Sequence, residues 1–300
     1  MSRAALFSPA LLLREGRITE GLRHARDAMQ IDHDPRNAFG AATWLLGPMI
    51  AWWEAQNGNQ AAAEEAWQQA RRSRIAFNNR KHVSETSANR SLEIFSVAER
   101  SVWLALGEYA EVYREATNAL PRLNQLTRSV TPISLLQRQT LAGAALAALH
   151  LEQYADAERA ARQWLKLPVE TSEAWERSQL DQPDDPQWGQ VLLAQALVNE
   201  ARRDEALKSI QPAIDAYRAM QTQGAAYVTF RQHFARALYV QAVAEAGDGV
   251  GNARACESLD QAAAQLNALT DEAKQLRDSK EIVRGIESEQ KKLNAGTARP

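Results

Sequence analysis

Apolar residues recur at intervals of three and four along most of this chain, and glycine, proline or short polar clusters separate the runs. That period is the signature of amphipathic helices. No window keeps the alternate apolar–polar pattern of a strand over more than a few residues. The clearest run is Leu141–Pro168. Its first helix carries Leu141, Ala144, Ala145, Ala148 and Leu149, a tight turn follows at Leu151–Gln153, and its second carries Tyr154, Ala157, Ala161, Trp164 and Leu165. Large residues on one helix opposite small ones on the other let two antiparallel axes approach closely. One such pair cannot bury its apolar faces alone and so predicts neighbours of its own kind.

The neighbours are legible along the chain. Gly16–Pro35 repeats the second half of the module, with Ile18 in the place of Tyr154 and small residues at Gly21, Ala25 and Ala28. Ala4–Glu15 would be its first helix, with Pro9 inside. Asn37–Arg74 is the second unit, turning at Asn57-Gly58-Asn59, and Ser91–Leu123 the third, turning at Gly107-Glu108. After the fourth, Val169–Pro186 is a longer connection in which Glu173–Leu180 has helical character and DQPDDP reads as loop. Trp188–Met220 is the fifth unit, turning at Ala201–Arg203, and Ala225–Leu269 the sixth, turning near Gly249. Asp271–Leu293 is charged with an apolar stripe at Leu276, Val283, Ile286 and Leu293, the pattern of a terminal helix with a wet outer face.

The small-residue turn signature, Gly107-Glu108-Tyr109 to Val112 and Glu152-Gln153-Tyr154 to Ala157, resembles that of tetratricopeptide repeats. The resemblance covers most of residues 2–270, although the Trp-x-x-Leu-Gly-x-x-Tyr first-helix signature is nowhere complete and the turns are spaced by roughly forty residues instead of about 34. It implies an all-α, right-handed superhelix (an α-solenoid) of antiparallel helix pairs. Residues 1–293 would form one domain of about six pairs plus a terminal helix over 271–293, with 294–300 a disordered tail. Gly224–Leu269, with RALYVQAVAEAGD, further resembles the C-terminal repeat regions of large bacterial signalling proteins. That likeness implies a stand-alone or truncated sensor-type scaffold.

Composition narrows the function classes. With 35 Lys and Arg against 37 Asp and Glu, the net charge is -2, which argues against general nucleic-acid or membrane-surface binding. One cysteine excludes an internal disulfide framework. The most apolar window, Ala38–Trp53, is shorter than the roughly 20 residues a membrane span needs, and Gly47-Pro48 interrupts it. The start of the sequence has no signal-peptide pattern. The expected location is the cytoplasm, or the periplasm as part of a larger membrane-anchored protein.

Candidate chemistry is sparse. The histidines have no metal-ligand spacing, so no metal site is expected, and no cofactor motif is present. Cys256 reads as a small buried hydrophobe on a helix. Gly247–Gly251 follows a helix, not a strand, and reads as a turn instead of a phosphate loop. Arg71, Arg72, Arg74, Arg80 and Lys81 form a basic cluster that could hold an anion, or could simply complement a helix C-terminus. The tryptophans read chiefly as packing between repeats.

In tetratricopeptide arrays the first helix of each repeat lines a concave groove. Carried onto this chain, the resemblance places Trp52, Ile94, Val97, Leu146, Leu149 and Trp188 on that side. These are apolar, so the groove is expected to accept an apolar or helical segment, or the chain's own Asp271–Leu293 helix, and not a charged C-terminal peptide. The expected function is a non-catalytic protein–protein interaction scaffold. The alternative is a regulatory sensor that encloses a small ligand or peptide near its tryptophans.

Overall fold

In the computed structural model, five turns end their helices in one recurring way. At each, a residue just beyond the helix, one position past its end at Gly107 and two at the others, takes a left-handed conformation: Gly16, Gly58, Gly107, Glu152 and Ala201 have φ of 82°, 84°, 88°, 58° and 60°. The amide of that residue donates to the carbonyl three positions back, and the next amide to the carbonyl five positions back, as in Gly107 to Leu104 at 3.1 Å and Glu108 to Trp103 at 2.9 Å. This double bond satisfies carbonyls that a helix end leaves open. The residue carrying the second bond then opens the next helix, since Arg17, Asn59, Glu108, Gln153 and Arg202 each accept from the amide four residues on.

The structure describes residues 3–32, 41–78, 85–125, 133–167, 187–246 and 249–297, and among them all regular structure is helical. The first four pairs are α1 (Arg3–Arg14) with α2 (Ile18–Asp32), α3 (Ala41–Gln56) with α4 (Gln60–Asn78), α5 (Glu85–Leu106) with α6 (Tyr109–Gln125), and α7 (Ile133–His150) with α8 (Tyr154–Leu165). Two more follow: α9 (Trp188–Asn199) with α10 (Arg203–Thr222), and α11 (Val228–Glu245) with α12 (Gly249–Asn267). A short α13 (Asp271–Lys274) and a final α14 (Arg277–Thr297) complete the set. Glu173–Leu180, the DQPDDP loop, Gly247-Asp248 and residues 298–300 lie outside the described residues.

Successive helices pack on one another, and the first helices of pairs two to six also touch in series, α3 on α5, α5 on α7, α7 on α9 and α9 on α11. Small residues permit the approaches. A Cβ on Gly47 would stand 2.6 Å from the Cβ of Ala70, so α3 and α4 can come this close only because position 47 is bare. Pro48 does not break α3, despite the interruption that Gly47-Pro48 suggests in the sequence. One apolar core runs through the array, with Trp53, Trp67 and Tyr217 among its largest fully buried side chains.

The contacts then return to their start: α1 touches α11, and α13 touches α2. The Arg14 guanidinium lies 4.6 Å from the ring centroid of Tyr227, a cation–π contact between the first and sixth pairs.

The terminal segment departs from the expected single helix over 271–293. Thr270 caps a separate short helix, accepting from the Ala273 amide at 3.2 Å, and the run is broken at Gln275-Leu276, whose amides donate to carbonyls three positions back, at 3.1 and 3.3 Å, while the Ser279 hydroxyl donates to the Ala273 carbonyl at 2.8 Å. The last helix continues to Thr297, beyond the expected end at Leu293. Its buried row is Ile282, Ile286, Glu289 and Leu293, a four-residue ladder, whereas Val283 is exposed, being about 100° round the helix from that row. Cys256 is likewise exposed, not buried as expected, because Ala255 and Leu259 occupy the inward positions of α12.

Candidate functional site

The first helices of pairs two to six surround a cavity of about 130 Å³. On α7 the lining row is Arg138, Ala142, Leu146 and His150, four residues apart and therefore stacked on one helix face. Val97, Arg100, Ser101 and Leu104 form the corresponding strip on α5, and Thr229, Gln232, His233 and Arg236 on α11. Trp52 and Gln56 come from α3, and Trp188 from the start of α9.

Of the six residues the sequence placed in the groove, Trp52, Val97, Leu146 and Trp188 line this cavity. Leu149 does not; it is 8% exposed and packs into the core, since it precedes His150 by one position and is turned about 100° from the lining row. Ile94 lies in α5, but its side chain is outside the described residues.

The terminal segment closes one end of the cavity, running across the turns of successive pairs. The Thr270 hydroxyl donates to the carbonyl of Gly16 at 2.8 Å, and the Thr19 amide donates to Glu272 at 2.8 Å. Gln56 pairs twice with Asp278, its amide nitrogen donating to the carboxylate at 3.0 Å and its oxygen accepting from the Asp278 amide at 3.2 Å. Arg277 donates to the carbonyl of Ala105 and to the Tyr109 hydroxyl, capping the end of α5. Its guanidinium also approaches Gly107, where a Cβ would stand 3.1 Å from it. Ser279 accepts from Gln232 at 3.0 Å, and Arg236 donates to Glu281 at 2.8 Å. Arg277, Asp278, Glu281 and Ile282 thereby become part of the cavity wall. The chain's own C-terminal helix thus covers part of the surface read from sequence as a groove.

The wall is not the apolar surface expected. Arg100, Arg138 and Arg236 are 3%, 1% and 7% exposed. Arg100 donates to the Thr140 hydroxyl at 2.7 Å, and the Arg138 guanidinium lies 4.0 Å from the Trp164 ring centroid. For Arg236, burial works against the charge, yet Glu281 and Asp278 outweigh it and hold its pKa above the ordinary value. Burial by itself would raise Glu281, but Arg236 and His150 bring it below the usual carboxylate range. Asp278 is pushed up, burial outweighing the nearby Arg236. His150 stacks on Tyr109 with ring centroids 4.0 Å apart and planes at 4°, and burial lowers its pKa against the pull of Glu281. His233 stacks on Trp188 at 3.9 Å and 13°.

These arginines were absent from the sequence reading, and the histidines entered it only as metal-ligand candidates. The signal existed: positive charge at register positions shared with Val97, Leu146 and their neighbours. Only the inward direction of those faces brings it to the cavity.

The basic cluster is partly dispersed. Arg71 and Arg72 are exposed, but Arg74 lies over Phe95 at 4.7 Å, and burial lowers its pKa against the pull of Glu99. Arg80 and Lys81 lie outside the described residues. Among the described residues, His, Cys, Asp and Glu form no group of three that could hold a metal ion, and no helix is long and apolar enough to cross a membrane. Compared with family models, curated proteins and solved structures, the chain matches none.

Proposed function

We propose that this protein is a non-catalytic binding module that encloses a small ligand in the cavity between its first helices and its C-terminal segment. The observation that carries this reading is a shared lining: Arg277, Asp278, Glu281 and Ile282 of the C-terminal segment join α3, α5, α7 and α11 around one partly open cavity. A pocket that mixes aromatic and aliphatic faces with a few fixed polar groups is the usual form of a small-molecule site. An engineered cavity of about 150 Å³ in another protein accepts benzene, so this volume suits a compact ligand. A bound α-helix, about 10 Å across, would have to displace α14 from the wall. The scaffold reading therefore requires opening of the terminal segment, whereas the sensor reading does not.

Filling the cavity tests this reading. Ala142 lines the wall with a small side chain, and Ala142→Trp occupies the space with the fold monitored by circular dichroism. A thermal-shift panel of compounds about the size of benzene, roughly six to eight non-hydrogen atoms, is then run on both forms, that size following from the cavity volume. At least one compound should raise the Tm of the wild type and leave the filled variant unchanged. Equal shifts in both forms, or none in either, would refute enclosure as the function.

A further inference from the structure

We propose that the ligand of this cavity is an uncharged aromatic molecule of a single ring, held by apolar contact with Val97, Leu146 and Trp188 and paired with none of the charged groups of the wall. The inference rests on the enclosed-cavity reading above and adds the chemical class of what is enclosed.

The engagement of the charged groups is the first argument. Arg236 pairs with Glu281 at 2.8 Å, and Asp278 accepts from Gln56 at 3.0 Å. Arg277 donates to the Ala105 carbonyl and to the Tyr109 hydroxyl. Arg100 donates to Thr140, Arg138 lies on the Trp164 ring, and neither is without a further partner in the chain. A charged ligand would therefore leave water for a wall whose ionic groups are already engaged, and could be compensated only by breaking one of those contacts. An uncharged ligand leaves them intact. The Thr229 hydroxyl, on α11, is buried without a hydrogen-bond partner among the described residues, but it is neutral and calls for no ionic group.

The surface between these groups is the second argument. Trp52, Val97, Leu104, Ala142, Leu146 and Ile282 supply apolar lining from α3, α5, α7 and α14. Two of the indoles at the wall are held in place by other rings. Trp188 stacks on His233 with centroids 3.9 Å apart, and Trp52 meets the buried Trp53 edge-on at 4.8 Å and 81°. An aliphatic molecule gains burial alone from such a wall. An aromatic ring also gains the offset or edge-to-face contact that indoles favour.

Volume is the third. The cavity of about 130 Å³ is slightly smaller than the engineered cavity of about 150 Å³ that accepts benzene, which limits the ligand to one ring.

Protein-detected NMR titration of the full chain at pH 7 tests the proposal with two pairs of probes alike in shape and different in charge. Toluene is compared with the N-methylpyridinium cation, and furan-2-carboxamide with the furan-2-carboxylate anion. At least one neutral probe should bind wild type roughly tenfold or more tightly than its charged counterpart, since only the charged one must give up ionic hydration. Ala142→Trp should abolish that binding. Gly143→Leu is a second filling variant, because a Cβ at Gly143 meets only Val112 and Leu104, at 3.7 and 3.9 Å, and is accommodated by the fold. A charged probe that binds as tightly as its neutral counterpart overturns the proposal. If the filling variants abolish that charged binding, only the uncharged class is lost and enclosure stands. No binding by any of the four, or equal binding in wild type and filled variants, overturns enclosure together with the class.

Discussion

The hydroxyl of Thr270 donates to the carbonyl of Gly16 across 254 residues of sequence, at 2.8 Å. A Cβ at Gly16 would stand 2.5 Å from that same oxygen, and the glycine has φ of 82°. The bare turn of the first pair is therefore the seat of the C-terminal segment. Gly58 holds the same conformation, φ 84°, with nothing within 4 Å of the missing Cβ. Gly58→Ala should cost about 1 kcal/mol, the left-handed backbone penalty alone. Gly16→Ala carries the same penalty plus the loss of the seat, and should cost about 2 kcal/mol more. Urea denaturation of the two variants checks the difference, and equal losses would mean that Thr270 does not fix the closure.

Trp164 lies against the bare face of Gly189, where a Cβ would come within 2.1 Å of the indole. Gly189→Ala must displace the ring that stacks on Arg138 and lines the cavity. Overpacking of this kind costs about 1–3 kcal/mol. The indole should also move, changing the near-ultraviolet circular dichroism. A variant of unaltered stability and spectrum would contradict this packing.

Arg236 is almost buried, its side chain 9% exposed, and Glu281 is its partner from α14. Glu281→Gln leaves the cation with Asp278 as its remaining acidic neighbour and should cost about 3 kcal/mol. Replacing both residues by Leu should cost less than the sum of the single changes, since no charge is then stranded. A double-mutant cycle in urea, with unchanged m values, measures this coupling.

His150 gives the closure a pH dependence. Burial holds its pKa below 6.5 in the folded chain, so the unfolded chain binds the extra proton between the two values. Stability from this group is complete above 6.5 and is lost as pH falls through the lowered folded value. Glu281, also lowered, adds a loss in the same direction at more acidic pH, whereas the raised Asp278 acts in the opposite direction. Unfolding midpoints measured from pH 7.5 to pH 5 should fall more steeply for wild type than for His150→Gln. Parallel curves would show that His150 is not the titrating group.

Much of the fold was legible in the sequence because its causes are local. A left-handed residue between two apolar stripes ends one helix and starts the next, and the turns at Gly16, Gly58, Gly107, Glu152 and Ala201 all lie where the pattern put them. At Glu152 and Ala201 no glycine marks the site; the change of helical stripe alone revealed it. Helix type needed nothing beyond spacing.

The lining of the candidate cavity was legible only in part. Trp52, Val97, Leu146 and Trp188 follow from counting along helix faces. Leu149 was misplaced by one position, and Arg100, Arg138 and Arg236 were passed over because charge on a helix normally marks its solvated side.

The sequence by itself determined the helices, their turns and the small residues that let neighbours approach, since these depend on residues three to five apart. Tertiary structure decided the closure and the cavity. Thr270 meets Gly16, Asp278 meets Gln56 and Glu281 meets Arg236 only once the array brings its two ends together. Such contacts join residues tens to hundreds of positions apart, and no local period encodes them. Burial of the arginines likewise comes from the enclosing helices, whose combined faces turn a surface charge into part of a wall.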